Sequence, residues 1–224
     1  MKYLLIVFLL NFGTVFAQKA ELGIRLGGSN YKGDLAPEFI FDNIKPAGGI
    51  FFRYNPSYHV GLSANLNLGN IGAKDINTSD PLLQVRNYWF NGSFYEFSGL
   101  VEYNFFNFRK SRRHFEKWCP FLFGGLGAAY FDIKTNLGDE KTASNGQIFI
   151  PFGVGVKHYL AKSWNLEFSF AARKTFSDTL DGIPYNENAP KFARTNPETT
   201  DMYYFFGISL SYVFNSVKCP NFYF

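Results

Sequence analysis

Three sets of residues in this chain are of types that could do chemistry. The first is a pair of cysteines, Cys119 and Cys219, each directly before a proline in "KWCPF" and "VKCPNF". The second is three histidines, His59, His114 and His158. The third is a set of charged residues that recur on the polar side of alternating stretches: Glu21, Arg25, Arg53, Glu96, Glu102, Lys157, Glu167 and Arg173. The histidines lack the spacing of a metal site. No G-x-S-x-G motif and no paired catalytic carboxylates occur. "GGLGAAY" and "GVGVKH" echo a dinucleotide loop, but the final glycine is missing and no helical pattern follows. The expectation is therefore a non-enzyme with no cofactor and no metal.

The charged set points to the elements that must hold it. In "HVGLSANLNLGN", Val60, Leu62, Ala64, Leu66 and Leu68 alternate with Gly61, Ser63, Asn65, Asn67 and Gly69. That is a period of two, the mark of a β-strand, over the length of a membrane-crossing strand. Glu21 and Arg25 face away from Leu22, Ile24 and Leu26 in the same way, and Arg53 opposes Phe52 and Tyr54. Glu96 and Glu102 oppose Tyr95, Phe97, Val101 and Tyr103; Lys157 opposes Val154 and Val156; Glu167 and Arg173 oppose Leu166, Phe168 and Phe170. Eight strands are expected, at about 19–31, 46–55, 58–70, 92–106, 120–133, 147–160, 164–176 and 202–215. The faces of the fifth, in "PFLFGGLGAAYFDI", are ambiguous.

Phe and Tyr number 28 and 14, and aromatics make up 20% of the 224 residues, which favours strand over helix. The first residues, "MKYLLIVFLLNFGTVFAQ", read as a secretory signal peptide, residues 1–17, cleaved after Ala17. No later stretch is apolar enough for a membrane helix, so membrane crossing would require a closed barrel. The prediction is an all-β, eight-stranded antiparallel up-and-down transmembrane β-barrel over residues 18–215. Its lumen is narrow enough for side chains to fill it. Four acidic and four basic inward residues would pair there and close it. Aromatics at strand ends, among them Tyr31, Tyr54, Tyr103, Trp164 and Phe214, read as interfacial girdles.

The expected location is the bacterial outer membrane, with both termini and residues 216–224 in the periplasm. Long connections at 32–45, 71–91, 134–146 and 177–201 then lie outside, and acidic residues outnumber basic ones in them. The exception on the periplasmic side is 107–119, "NFRKSRRHFEKWC", with Arg109, Lys110, Arg112, Arg113 and Lys117 against Glu116. It reads as a docking site for an acidic periplasmic partner, or as a turn solvated beside anionic headgroups. Export excludes nucleic acid as the partner. Cys119 and Cys219 fall on one side of the membrane in an oxidising compartment. A disulfide between them would close a loop of about a hundred residues and contribute on the order of 4–5 kcal/mol in the chain-entropy model. The alternative is two unrelated thiols.

"LGIRLGGSNYKGDL", "YEFSGLVEYNFF", the "CPF" that opens the fifth strand and the C-terminal "KCPNF" resemble the PorG-type outer-membrane proteins of Bacteroidetes. The similarity spans essentially the whole mature chain. It implies a component of the type IX secretion system that anchors a periplasmic ring of PorK- and PorN-type proteins to the outer membrane. In some members of the phylum that route also serves gliding motility. Two other readings compete: a lipid- or LPS-modifying barrel enzyme, and a surface barrel whose external loops bind a ligand or partner. All readings share outer-membrane lipids and LPS as surroundings.

Overall fold

A computed structural model describes residues 20–33, 36, 39–78, 81–106, 117–136, 141–161, 163–176 and 201–214. Eight strands close into one antiparallel barrel in chain order: β1 (Ala20–Lys32), β2 (Lys45–Tyr54), β3 (Val60–Lys74), β4 (Trp89–Asn104), β5 (Trp118–Thr135), β6 (Lys141–Ala161), β7 (Trp164–Thr175) and β8 (Met202–Val213). Closure is made by β1 on β8, with Leu22 opposite Tyr212 and Tyr31 opposite Tyr203. Closing the sheet removes the unpaired edges that an open sheet would present. The end that carries Ala20 and Val213 is called the near end here, and the opposite end the far end.

The outer wall is apolar along a continuous belt. On β4 the outward residues from Tyr95 to Phe105 are all apolar, aromatic or glycine, and Tyr95, Phe97, Val101 and Tyr103 are each at least half exposed. Ten residue steps at roughly 3.3 Å span about 33 Å along the strand. At a strand tilt near 40° that is about 25 Å along the barrel axis, the height of an outer-membrane apolar band. Aromatic contacts mark its near-end border: Trp164 packs edge-on against Tyr212 at 5.2 Å, and Tyr103 against Phe105 at 5.4 Å.

Beyond the far edge of the belt the barrel continues. β3 runs to Lys74 and β4 begins at Trp89, with Ile71 opposite Gly92 and Lys74 opposite Trp89. The expected long connection 71–91 is therefore strand at both its ends, over 71–74 and 89–91. What remains is a 3-10 turn, Asp75–Asn77, and a short helix α1 (Pro81–Arg86). β6 likewise begins at Lys141 rather than near 147, paired with β5 up to Thr135. In this part the pattern inverts. Asn70, Lys74, Asn91, Asp132 and Lys134 face outward, whereas Ile71, Ala73, Phe90, Phe131 and Ile133 are buried inside. Tyr31 belongs to this inner group: it is fully buried in the lumen and is not a girdle residue. Its odd position on β1 puts it on the same face as Glu21 and Arg25.

The two faces of β5 are distinct. Cys119, Phe121, Ala129, Phe131 and Ile133 point into the lumen, and Leu122, Leu126 and Tyr130 point out. Glycines opposite aromatic rings make room inside. A Cβ on Gly127 would collide with the ring of Phe149, its cross-strand partner, and one on Gly23 would collide with the ring of Phe51.

Candidate functional site

The lumen is built in two layers. The layer toward the near end is ionic. Arg53 on β2 reaches three carboxylates on three other strands. Its Nη1 donates to Glu21 at 3.0 Å, its Nε to Glu102 at 2.8 Å and its Nη2 to Glu167 at 2.7 Å. Glu167 also pairs with Arg25 at 3.3 Å, and Arg25 Nε donates to the Ser209 hydroxyl at 2.9 Å. Lys157 Nζ donates to Glu102 at 2.7 Å and to the side-chain carbonyl of Asn104 at 2.8 Å. Glu21 further accepts from Asn165 at 3.2 Å and from the Ser211 hydroxyl. The guanidiniums of Arg25 and Arg53 sit over the ring of Phe51, 5.1 and 4.8 Å from its centre. Six charges, three of each sign, are thus buried together.

Glu96 and Arg173 form a second, smaller cluster deeper along the axis. Arg173 grips both oxygens of Glu96, at 2.7 and 3.0 Å. Asn67 and the Tyr203 hydroxyl complete the carboxylate's shell at 2.7 and 2.8 Å. Such saturation is what a buried carboxylate requires, since desolvation is costly and unsatisfied lone pairs make it worse. Arg173 Nη1 has no hydrogen-bond partner, and its guanidinium instead lies 4.7 Å from the centre of the Phe205 ring.

Tyr203 joins this cluster to the second layer, which is aromatic. Its ring touches Phe94, Phe131 and Phe149, with centroids 5.8 to 5.9 Å away. Tyr31 packs edge-on against Phe90 at 4.8 Å, and its hydroxyl donates to Asp201 at 2.6 Å. Together with Ile71 and Ile133 these side chains fill the far-end lumen as one cluster. The side chains of both layers are buried inside the barrel. All eight charged residues singled out in the sequence are brought into this interior. The aromatic layer was missed, although its members share the inward parity of those charges. Alternation along "FYEFSG" and "MYYFFG" was a signal that could have found Phe94, Tyr203 and Phe205.

At the near end, Lys117 is exposed and its carbonyl accepts from the Tyr159 N–H at 2.9 Å. The next residue, Trp118, stacks on His158 with centroids 4.1 Å apart. His59 lies at this end too, stacked on Tyr103 and 3.0 Å from the Asn104 carbonyl. Cys119 is fully buried, and its Sγ lies 3.2 Å from the Phe106 carbonyl. The turn is longer than its neighbours at this end: β4 stops at Asn104 and β5 starts at Trp118, whereas β6 stops at Ala161 and β7 starts at Trp164. Arg109, Lys110, Arg112, Arg113, residues 1–17 and residues 216–224, Cys219 among them, lie outside the described residues. Among the described residues no group of His, Cys, Asp and Glu could hold a metal ion.

Known structures of the same shape are small outer-membrane proteins. Neisserial surface protein A is 9% identical with a TM-score of 0.51, covering 87% of this chain and 97% of its own. A major outer membrane protein of Thermus thermophilus is 12% identical with a TM-score of 0.50, covering 86% of this chain and 99% of its own. At such identities the likeness is one of fold: the chain has the eight-stranded barrel of small outer-membrane proteins. No curated protein sequence matches it. Residues 1–222 match the model of a domain of unknown function, DUF6089, and the chain belongs to that family.

Proposed function

We propose that this barrel is a non-enzymatic component of the type IX secretion system, set in the outer membrane with its near end in the periplasm. There it anchors a periplasmic ring of PorK- and PorN-type proteins. The observation that carries the reading is the interior filled with buried, paired charges. Every inward charge is engaged by another lumen group or ring, so the protein works through a face and not through a pore. The near-end face is the one with an extended turn, in the basic stretch from Arg109 to Lys117. A disulfide from Cys119 to Cys219 would hold the tail beside that turn. The lipid-modifying reading is weaker, because His59 and His158 both stand at the near end, away from the external leaflet that such an enzyme attacks.

The test is a deletion strain assayed for export of proteins that carry C-terminal sorting domains. Export is expected to fail, with the cargo retained in the periplasm. Normal export would reject the role. Reversing Arg109, Lys110, Arg112 and Arg113 to Glu should lower recovery of ring proteins with the detergent-extracted barrel; unchanged recovery would reject the turn as the docking site.

A further inference from the structure

The outer wall of β2 to β5 carries three cavities, one above another, away from the near-end face. The topmost, about 470 Å3, lies between the 3-10 turn Phe41–Asn43 and the far-end extension of β3 and β4. It is lined by Asn43, Asn77, Asn87 and Asn91 and the half-buried Trp89, with Lys45 and Lys74 beside them. Asn43 is the telling residue. It is only 2% exposed; its Oδ1 accepts from Asn77 Nδ2 at 2.8 Å, and its Nδ2 has no partner. Buried donors are nearly always satisfied, so an orphan on the wall of a polar cavity marks a place for a ligand acceptor.

The walls are held without a ligand. Asn136 accepts from the Trp89 N–H and donates to the Asn87 carbonyl, both at 3.0 Å. Between them Asn87 takes a left-handed φ of 53°, tolerated best by Gly and Asn. Planar amides that offer donors and acceptors together, beside an aromatic plane, suit a ring that bears hydroxyls on its edge and C–H groups on its face.

Directly below, a second cavity of about 470 Å3 shares Lys45 and Asn91 with the first and adds Asn70, Ser93, Asp132 and Lys134. Below that, at the next outward residues of the same strands, begins an apolar groove of about 610 Å3. Leu68, Tyr95 and Tyr130 form its upper edge, and Ile50, Leu66 and Ala128 line it inside the belt. A polar pocket that passes into an apolar groove at the membrane border fits an amphiphile and not a free sugar.

We propose that this wall binds a membrane glycolipid, with its saccharide headgroup in the two polar cavities and an acyl chain in the groove. The proposal rests on the barrel spanning the membrane with its far end outward, and not on the anchoring role. The experiment uses the full chain in detergent micelles, titrated by native mass spectrometry with three probes. These are purified lipopolysaccharide, its acyl-free oligosaccharide, and phosphatidylethanolamine. Saturable binding of lipopolysaccharide is expected, with the other two weaker by at least about tenfold. Asn91→Ala and Trp89→Ala should each weaken lipopolysaccharide binding by about tenfold, the scale of one lost polar or aromatic contact. Ala128→Phe, which fills the groove from an exposed position, should weaken it without changing the response to the oligosaccharide. Retained heat-modified mobility on gels would show each variant folded. Equal binding of phosphatidylethanolamine, equal binding of the free oligosaccharide, or indifference to all three substitutions would overturn the proposal. None of these outcomes bears on recovery of ring proteins, which tests the anchoring role separately.

Discussion

Within the belt the barrel is polar inside and apolar outside; beyond it the same strands are apolar inside and polar outside. On β4, Glu102, Ser98 and Glu96 face inward below, and Phe94 and Phe90 face inward above. The switch falls where the outward residues change from Tyr95 to Ser93 and Asn91. The cause is the solvent. In lipid an outward polar group is costly and the lumen is the only place for polar side chains. In water an outward apolar group gains nothing, and burying it inside stabilises the wall by about 25 cal/mol per Å2. The far-end extension therefore has the interior of a soluble β-protein on a membrane barrel's backbone. The two halves seal one lumen by opposite chemistry, and Tyr203 connects them through its ring on one side and its hydroxyl on the other.

Substitutions separate the two halves. The largest effect is expected for Arg53→Met, which leaves three carboxylates facing one another and should cost about 3–5 kcal/mol. Unfolding in urea, followed by heat-modified mobility, would measure it. Adding Glu21→Gln should recover much of that loss, because Glu102 keeps Lys157, Glu167 keeps Arg25, and the damage is uncompensated charge. Phe94→Ala comes next, at about 3 kcal/mol, and no charge change should rescue it. Tyr203→Phe removes one hydrogen bond to a charged group and should cost about 1.5–2 kcal/mol. A smaller cost of Tyr203→Phe in a Glu96→Gln background than in the native chain would place the effect at the hydroxyl. The smallest effect is expected for Asn91→Ala on the exposed outer wall, within about 0.5 kcal/mol. A comparable cost for Asn91→Ala and Phe94→Ala would contradict the inverted pattern.

The same inversion explains what the sequence showed and what it hid. Period two with one apolar side made the strands legible from Leu22 to Leu26 and from Leu62 to Leu68. The inward charges followed from parity alone. Around Lys74, Asp75, Trp89 and Asn91 the outward side turns polar, and polar residues beside Gly and Asn look like a loop. Yet Ile71, Ala73 and Phe90 keep the strand in register by packing inside. Tyr31 reads as a girdle residue for a related reason: its place at a strand end suggests an interface, but its parity puts it inside. β5 was opaque because Gly and Ala occupy both of its faces from Gly124 to Ala129. Pairing with Phe149 and with Glu96 on its neighbours fixed the facing, and such long-range partners have no local signature. Asn43 could not be singled out either, since an orphan donor exists only once the fold surrounds it.

The claim at the centre of the account is that the lumen is closed by two stacked layers, one ionic and one aromatic. Single-channel recording of the full chain in planar bilayers tests it most directly. The account predicts no conductance steps for the native protein under applied voltage. Steady ohmic steps, unchanged by Arg53→Met and Phe94→Ala, would show an open path that these layers do not control and would contradict it.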